Sequence, residues 1–408
     1  MKTMLVVLVL MFASVAVLAE EPPEYITQWG EYGSGNGQFD RPKGIAVDSY
    51  SNIYVTDTQN YRIQKFTSDG VYIMQWGEYG NAPGYFREPR DIALDSNNNV
   101  YVIDQLQRIQ KFTSEGVFLT QWGNYGDGDG QFHDTKGIAV DSNDNVYVTD
   151  GNYPGGNENN FRVQKFTSDG VYIMQWGEYG HNPGQFLGIS GIATDSSNNV
   201  FVVAGPTRVQ KFTSDGAHLI RWGSPGTGEG EFNGIVSIAV DTDDDVYVGE
   251  NSTQNIGCRI QKFDNVGVYL TQWGEWGSGN GQFDPPSGIT FDISNNIYVT
   301  DFGNYRIQKF GYPFTGVEEL PSFAFNLNVY PNPFNPSTTI HYTVTETSLV
   351  TLEVFDLEGR LIDRLVSGVN HKPNEYSITY SPSLVSGVYF VKLQVANKAT
   401  TMKIVLLK

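Results

Sequence analysis

The tripeptide Gln-Trp-Gly, written Arg-Trp-Gly in one copy, recurs along most of this chain. Its tryptophans, which lie 47, 46, 54, 46 and 51 residues apart, are Trp29, Trp76, Trp122, Trp176, Trp222 and Trp273. The same parts follow each copy in the same order: a Gly-rich loop, a GIAVD-type segment, a polar turn, an NIYVTD-type segment, a second loop and an RIQKF-type segment. A period of roughly 40 to 50 residues with several short strands per period predicts a propeller or a solenoid.

One period contains four candidate strands. In the first copy they are residues 44–48, 52–57, 62–66 and 71–76, which are short and rich in β-branched and aromatic side chains. The turns between them are rich in Asn, Asp and Gly, which tolerate the left-handed backbone of tight hairpins. Four antiparallel strands repeated radially make the blades of an all-β propeller.

The count of strands predicts six blades and a closed ring. Units of three strands begin near Gly44, Asp91, Gly137, Gly191, Val236 and Gly288. The last unit ends at Phe310 without a fourth strand, whereas one fourth-type strand ends at Trp29, before any first strand. We therefore expect residues 25–30 to complete the sixth blade, which would leave no exposed sheet edge. An open solenoid, the alternative, would leave an orphan strand at each end.

Because every copy carries the full order of parts, the motif set resembles the NHL repeat family of six-bladed propellers. The resemblance covers about residues 26–310 and implies a binding platform more often than an enzyme. It places the propeller domain at residues 20–310.

The repeat stops after Phe310. Residues 311–326 are punctuated by Gly and Pro and predict a linker, and residues 327–408 alternate strands with Gly turns, as in a small β-sandwich. The strings YPNPFNPSTTI (330–340), DLEGR (356–360) and SGVYF (386–390) look like the type A sorting domain of the type IX secretion system. This resemblance implies that the secretion machinery is a partner and that the protein is released or attached to the surface after export. An ordinary adhesive sandwich is the alternative.

The N-terminus predicts export as well. A Met-Lys start, an apolar run over residues 4–18 and the small residue Ala19 are typical of a secretory signal peptide over residues 1–19, cleaved after Ala19. No later stretch approaches the about 20 apolar residues of a membrane-spanning helix, so we expect no transmembrane segment. The expected location is secreted or on the outer cell surface.

The formal net charge is −19, and it is unevenly distributed. Residues 1–316 hold 37 acidic and 19 basic side chains, whereas residues 317–408 hold eight and seven. Nucleic-acid binding needs a basic patch or stripe, so we expect no nucleic-acid partner. Cys258 is the single cysteine, which excludes an intramolecular disulfide and predicts a small buried apolar residue.

An aromatic residue lies three positions after five of the six tryptophans, and Pro225 takes this place after Trp222. The candidate ligand-binding set is Tyr32, Tyr79, Tyr125, Tyr179 and Trp276. A ring of such platforms, edged by carboxylates, would suit stacking on sugars or holding a cationic partner. The alternative is that a residue repeated in nearly every blade packs against its neighbour and serves the blade.

Two second-to-third loops are longer than the rest, at residues 151–160 and 251–258. Extra length on one face of a repeat protein is typical of a binding surface, so Tyr153, Asn157 and Glu158 join the candidate ligand-binding residues. Tolerated surface insertion is the alternative.

Acidic and arginine residues at neighbouring strand ends predict an ion pair in five blades. The pairs are Asp57 with Arg62, Asp104 with Arg108, Asp150 with Arg162, Glu250 with Arg259, and Asp301 with Arg306. The fourth unit has Ala204 in place of the acid, so Arg208 would bind either an anion or a backbone carbonyl. Separately, Asp241, Asp243 and Asp245 begin a calcium-loop spacing but lack its Gly and its final Glu, which leaves an ordinary turn as the alternative.

The sequence does not predict catalysis. Some six-bladed relatives are lactonases or lyases, but such a site would need unique polar residues on the first strands, which read GIAVD, DIALD, GIAVD, GIATD, SIAVD and GITFD. His133, His181 and His218 lie at different repeat positions and predict no zinc site. We therefore predict a non-catalytic protein- or glycan-binding module with no cofactor. The alternatives are an extracytoplasmic hydrolase or lyase and a structural surface coat.

Overall fold

The structure is a computed structural model that describes residues 20–151, 160–251, 257–312, 327–330, 332, 334–344, 347–356, 360–382, 384–395 and 398–406. The chain divides into two compact units, Met1–Pro313 and Phe314–Lys408. The predicted signal peptide and residues 313–326 of the predicted linker lie outside the described residues.

The first unit consists of six four-stranded antiparallel sheets, each of them one blade. In five blades the strands follow chain order from the innermost to the outermost: Pro42–Val47, Ile53–Asp57, Arg62–Phe66 and Tyr72–Trp76; Asp91–Leu94, Val100–Asp104, Arg108–Phe112 and Phe118–Trp122; Thr135–Val140, Val146–Asp150, Arg162–Phe166 and Tyr172–Trp176; Ile192–Thr194, Val200–Val203, Val209–Phe212 and His218–Trp222; Ile235–Val240, Val246–Glu250, Ile260–Phe263 and Tyr269–Trp273.

The sixth blade joins the two ends of the repeat region. Its inner strands are Pro286–Phe291, Ile297–Asp301 and Arg306–Gly311, and its outermost strand is Glu24–Trp29. The pairing is antiparallel, with Gln28 opposite Gln308 and Trp29 opposite Ile307. The predicted closure by the N-terminal strand is confirmed.

The fourth-to-first and second-to-third loops lie on the same face of the propeller, here called the loop face. In the first blade Asn60, at the end of the 3-10 turn Thr58–Asn60, donates to the carbonyl of Gly33 at 2.8 Å. Each fourth-to-first loop folds back on itself through a short parallel bridge, such as Tyr32 with Phe39. Two of these bridges lengthen into two-residue strands, Ser224–Pro225 with Glu231–Phe232 and Glu275–Trp276 with Gln282–Phe283.

The repeated tryptophan joins neighbouring blades. The ring of Trp29 lies 6.0 Å from Phe66 in the next blade and 6.3 Å from Tyr298 in its own blade, centroid to centroid. It also covers Gly70 in the next blade, where an added Cβ would lie 2.5 Å from the indole. Gly70 has φ of +81°, so both the backbone and the contact require glycine. The turn between the third and fourth strands, TSDG at residues 67–70 in the first blade, therefore recurs with the Trp because its glycine packs against the indole.

All five predicted ion pairs form. In the first blade Arg62 Nε lies 2.7 Å from Asp57 Oδ2, and the remaining donors of Arg62 reach the carbonyls of Ser34, Gly35 and Gln38. The distances in the other four pairs are 3.0 Å for Arg108–Asp104, 3.1 Å for Arg162–Asp150, 2.8 Å for Arg259–Glu250 and 2.8 Å for Arg306–Asp301. The buried arginine therefore ties two strands together and also holds the incoming fourth-to-first loop.

The second unit is a β-sandwich. One sheet contains Leu327–Tyr330, Thr338–Val344 and Asn374–Tyr380, and the other contains Leu361–His371, Ser348–Phe355, Gly387–Val395 and Lys398–Leu406. Ile340 from the first sheet and Leu352, Val391 and Ile404 from the second are fully buried in one cluster. The two sheets thus share a single core, as the alternating pattern predicts.

Replacing Asp57 with Ala would leave Arg62 buried without its counter-charge. We expect Asp57→Ala to lower the free energy of unfolding by about 3–5 kcal/mol, measured by denaturant titration of tryptophan fluorescence in the full chain. The exposed control Glu24→Ala should change it by less than about 0.5 kcal/mol. Equal effects of the two variants would contradict this account of the ion pair.

Candidate functional site

The first strands of the six blades surround a central channel of about 700 Å³. Its wall combines apolar residues such as Ile45, Ile92 and Ile138, which come from the nearly uniform GIAVD-type segments, with polar and charged residues. Neighbouring first strands approach closely: a Cβ at Gly288 would lie 2.5 Å from the carbonyl oxygen of Lys43. The recurrent glycine is therefore a requirement of closing the ring tightly.

The residues just before that glycine line the channel at the loop face. Blades one to three place Lys43, Arg90 and Lys136 there, and blades four to six place Ser190, Val236 and Ser287 at the equivalent positions. We call Lys43, Arg90 and Lys136 the channel-mouth cations. Because they come from three consecutive blades, the three cations lie on one side of the mouth, where the acidic residue Glu88 also lines the channel.

The channel-mouth cations differ in their partners. Asp134 accepts from Arg90 Nη1 at 2.5 Å and lies 2.7 Å from Lys136 Nζ. Lys43 Nζ instead lies 5.8 Å from the centre of the Phe302 ring, and among the described residues no carboxylate is within 4 Å of it. Burial, and then the positive charge of Arg90, lower the pKa of Lys43. Lys43 is thus the channel-mouth cation best placed to pair with an external anion.

Asp91 is the one acidic residue at a position where blades one, three, four and six have glycine. Its Oδ2 accepts from the backbone N–H of Ile138 in the third blade at 3.0 Å. Its Oδ1 lies against Gly44 in the first blade, where an added Cβ would be 2.8 Å away. Burial in the channel wall raises the pKa of Asp91 to about 7. The channel therefore contains a carboxyl group that titrates near neutral pH.

The predicted aromatic platforms lie on the loop face after the outermost strands, and none of them lines the channel. Their exposed fractions are 65% for Tyr32, 58% for Tyr79, 68% for Tyr125, 51% for Tyr179 and 47% for Trp276. Four of the rings also pack on a neighbour: Tyr32 on Tyr305, Tyr79 on Tyr61, Tyr125 on His133 and Tyr179 on Phe161. The residues thus combine a structural contact with a large exposed surface.

The carboxylates beside these aromatics are held by their own loops. Glu31, Glu178 and Glu275 each accept a hydrogen bond, at 2.7–2.8 Å, from the glutamine seven residues later. That glutamine in turn shapes the Gly-rich loop, because Gln38 Oε1 accepts from the N–H of Gly35. The predicted acidic edge of the platforms therefore has a local structural role.

Tyr153, Asn157 and Glu158, the other candidate ligand-binding residues, lie outside the described residues. They remain predictions.

The possible calcium loop has the hydrogen bonds of an ordinary turn. Asp241 Oδ1 accepts from the N–H groups of Asp243 and Asp245, and its Oδ2 accepts from the Tyr247 hydroxyl. Asp245 pairs with Lys262 at 2.9 Å. The turn of the first blade uses Asp48, Asn52 and Tyr54 in the same way. Within the described part of the chain, no three His, Cys, Asp or Glu side chains gather as metal ligands.

The channel-mouth cations and Asp91 were missed by the sequence prediction. The GIAVD-type segments are nearly uniform when compared as wholes, and that uniformity hides both the residue before each segment and the Asp that replaces one glycine. Aligning the six copies one residue further towards the N-terminus would have shown Lys, Arg and Lys followed by Ser, Val and Ser.

Three family models match the chain. Residues 328–407 match a secretion system C-terminal sorting domain, residues 44–113 a 6-bladed beta-propeller, and residues 283–310 an NHL repeat. The predicted resemblance is confirmed. The sorting-domain match indicates export by the type IX secretion system.

Similarity to individual proteins is partial. Over 46 residues the chain is 46% identical to Protein brain tumor of Drosophila melanogaster, a match that covers 11% of this chain and only 4% of that protein. A structural genomics protein of unknown function from Bacteroides thetaiotaomicron is 17% identical, with a TM-score of 0.53 over 70% of this chain and 76% of that one. A streptogramin B lyase is 16% identical, with a TM-score of 0.49 over 71% and 98% of the two chains. The Bacteroides likeness shows a shared fold.

No helix in the described part of the chain is both long enough and apolar enough to cross a membrane.

The raised pKa of Asp91 predicts a pH-dependent stability. Because its folded-state pKa of about 7 is above the unfolded value near 4, its stabilising contribution is complete below about pH 4 and is lost as the pH rises to about 7. Asp91→Asn cannot ionise, so its Tm minus that of the wild type should increase between pH 4 and 8 by roughly 5–10 °C, measured by differential scanning calorimetry. The exposed control Asp169→Asn should give a flat difference, and a flat difference for Asp91→Asn would contradict the assignment.

Proposed function

We propose that this protein is an exported, non-catalytic binding module whose propeller binds a protein or glycan ligand at the cell surface. In this proposal an anionic group of the ligand occupies the channel mouth. The observation that carries the proposal is the one-sided set of cations, Lys43, Arg90 and Lys136, at the loop-face end of the channel.

The charge distribution supports this position for the ligand. Residues 1–316 carry a large acidic excess, which repels anions over most of the surface. The channel mouth is concave and lined by three cations, so it concentrates positive potential at one place on a mostly negative surface. Lys43 carries a half-buried charge that a ligand anion would stabilise, whereas Asp134 already neutralises much of the charge of Arg90 and Lys136.

A ligand larger than the mouth would reach the surrounding loops. We assign the exposed rings of Tyr32, Tyr79, Tyr125, Tyr179 and Trp276 to apolar and stacking contacts with such a ligand. Tyr153, Asn157 and Glu158 of the long third-blade loop complete the proposed contact set. The function is thus assigned to one face of the propeller.

The route to the surface follows from the two ends of the chain. The signal peptide over residues 1–19 is proposed to direct the first export step and to be cleaved after Ala19. The C-terminal sorting domain then engages the type IX machinery. Release from the cell and attachment to the outer surface both agree with a binding module.

A hydrolase or lyase is the second candidate, and Asp91 is the observation that favours it. A carboxyl with a pKa of about 7 can both donate and accept a proton at neutral pH, as a general acid or base must. Turnover of a captured ligand by the full chain, lost in Asp91→Asn, would support this second candidate against the first.

The binding proposal is tested by screening the full chain against arrays of glycans and surface proteins at about 50 and 300 mM salt. Lys43→Ser installs the residue that blades four and six carry at this position. We expect it to weaken a saturable hit about 3–10-fold, because a charged contact contributes about 1 kcal/mol. Higher salt should also weaken binding.

The matched control is Lys372→Ser, which removes an exposed lysine from the other unit and should leave affinity unchanged. Tyr179→Ala reports separately on the aromatic contacts. Saturable binding that is indifferent to salt and to Lys43→Ser would refute the channel mouth as the site.

A further inference from the structure

The fourth blade lacks a buried carboxylate that the other five blades share. In the first blade Asp57 accepts from Arg62 Nε at 2.7 Å, from Gln64 Nε2 at 3.1 Å and from the N–H of Asp40 at 2.8 Å. Asp104, Asp150, Glu250 and Asp301 take this place in four further blades. The fourth blade has Ala204 there, so the carboxylate is removed while its donors, Arg208 and Gln210, are retained.

A second substitution in the same blade adds positive charge. In the other five blades the arginine donates through Nη1 to a glutamine on the outermost strand, with distances of 2.7–3.1 Å; these glutamines are Gln28, Gln75, Gln121, Gln175 and Gln272. The fourth blade has Arg221 at this position. An acceptor is thereby replaced by another donor, and two arginines meet where the other blades have an arginine, a glutamine and a carboxylate.

The two guanidinium groups share one acceptor. Arg208 Nη1 donates to the carbonyl of His181 at 3.3 Å, and Arg221 Nη1 donates to the same oxygen at 2.9 Å. Within the described residues neither arginine has a carboxylate at salt-bridge distance. Glu178, in the same loop as His181, has its Oε1 engaged by Gln185 at 2.7 Å. Two like charges therefore converge on one carbonyl oxygen, and no described residue supplies a carboxylate as their counter-ion.

The arginines of the fourth blade are also accessible. Arg62, Arg108, Arg162, Arg259 and Arg306 are all buried, with exposed fractions of 5–8%, whereas Arg208 is half-buried and Arg221 is exposed. Each guanidinium group has five N–H donors, and within the described residues Arg208 and Arg221 each donate one hydrogen bond, to the carbonyl of His181. The other donors are thus available at the rim between the third and fourth blades. Paired planar guanidinium groups favour carboxylates, which they bind through two parallel hydrogen bonds.

We propose that Arg208 and Arg221 form a binding site for the carboxylate of an acidic sugar. The ligand carboxylate supplies from outside the negative charge that the other five blades supply from within. A sugar is the favoured source because Tyr179, two residues before His181 in the same loop, presents a half-exposed ring on which a sugar face can stack. Arg208 and Arg221 are not among the residues that line the channel, and the proposal does not rest on the anion site there, although Tyr179 belongs to both contact sets.

The test uses polygalacturonate oligomers and the full chain in isothermal titration calorimetry. The matched ligand control is the methyl-esterified oligomer, which has the same sugar ring without the charge. We expect saturable binding of the acid and at least tenfold weaker binding of the ester, since the charge-assisted hydrogen bonds are lost.

Two variants return the fourth blade to the pattern of its neighbours. Arg221→Gln restores the usual acceptor, and Ala204→Asp restores the internal carboxylate, which should pair with Arg208. Each should weaken polygalacturonate binding about tenfold, and Ala204→Asp should leave Tm unchanged or raise it. A variant that loses binding while it keeps its stability separates ligand contact from a general structural defect.

If Ala204→Asp does not fold, the loss or retention of polygalacturonate binding in Arg221→Gln alone tests the site. Lys372→Ser, which removes an exposed lysine from the other unit, should leave polygalacturonate binding intact. Binding that survives both fourth-blade variants, equal binding of acid and ester, or no binding of polygalacturonate would overturn the proposal. Saturable binding of a glutamate-rich peptide without binding of polygalacturonate would likewise overturn the proposed sugar ligand, in favour of an acidic protein.

Discussion

The main-chain pairing of Glu24–Trp29 with Arg306–Gly311 is the constraint on which the rest of the propeller depends. It joins strands from opposite ends of the repeat region, and so it turns a row of blades into a ring. Only in a ring do the first strands of blades six and one meet, as the close approach of Gly288 to Lys43 shows. The channel, its wall of six first strands and the charged residues at its mouth all follow from that closure.

Within the ring, repeated and unrepeated residues have different roles. The repeated Trp, Gly, Arg and Asp side chains pack the blades together, as Trp29 on Gly70 and Arg62 with Asp57 illustrate. Charge appears where the repeat is broken. Lys43, Arg90 and Lys136 have no charged counterparts in blades four to six, and the fourth blade exchanges a carboxylate and a glutamine for Ala204 and Arg221. Both proposed sites are therefore departures from the repeat that the fold tolerates.

Most of the fold could be predicted because its signals are local and repeated six times. Short segments rich in β-branched and aromatic residues, separated by turns rich in Asn, Asp and Gly, predicted the strands, and one orphan strand at Trp29 predicted the closure. The five ion pairs could be predicted from the spacing of acid and arginine at strand ends. The site was harder to predict, because Arg90 and Lys136 are separated by 46 residues and become neighbours only when two blades pack side by side. Asp91 likewise owes its raised pKa to the third blade, through Ile138.

By itself the sequence determined the number of blades, the strand order, the sorting domain and the absence of an acid before Arg208, since each is a matter of residue type and spacing along the chain. The tertiary structure alone decided which charges share a solvent-accessible space. It brought the channel-mouth cations to one side of one opening, and it placed Arg208 and Arg221 on a single carbonyl oxygen of the preceding blade's loop. The physical reason is that electrostatic interaction depends on distance and burial, which are set when the blades pack into a ring.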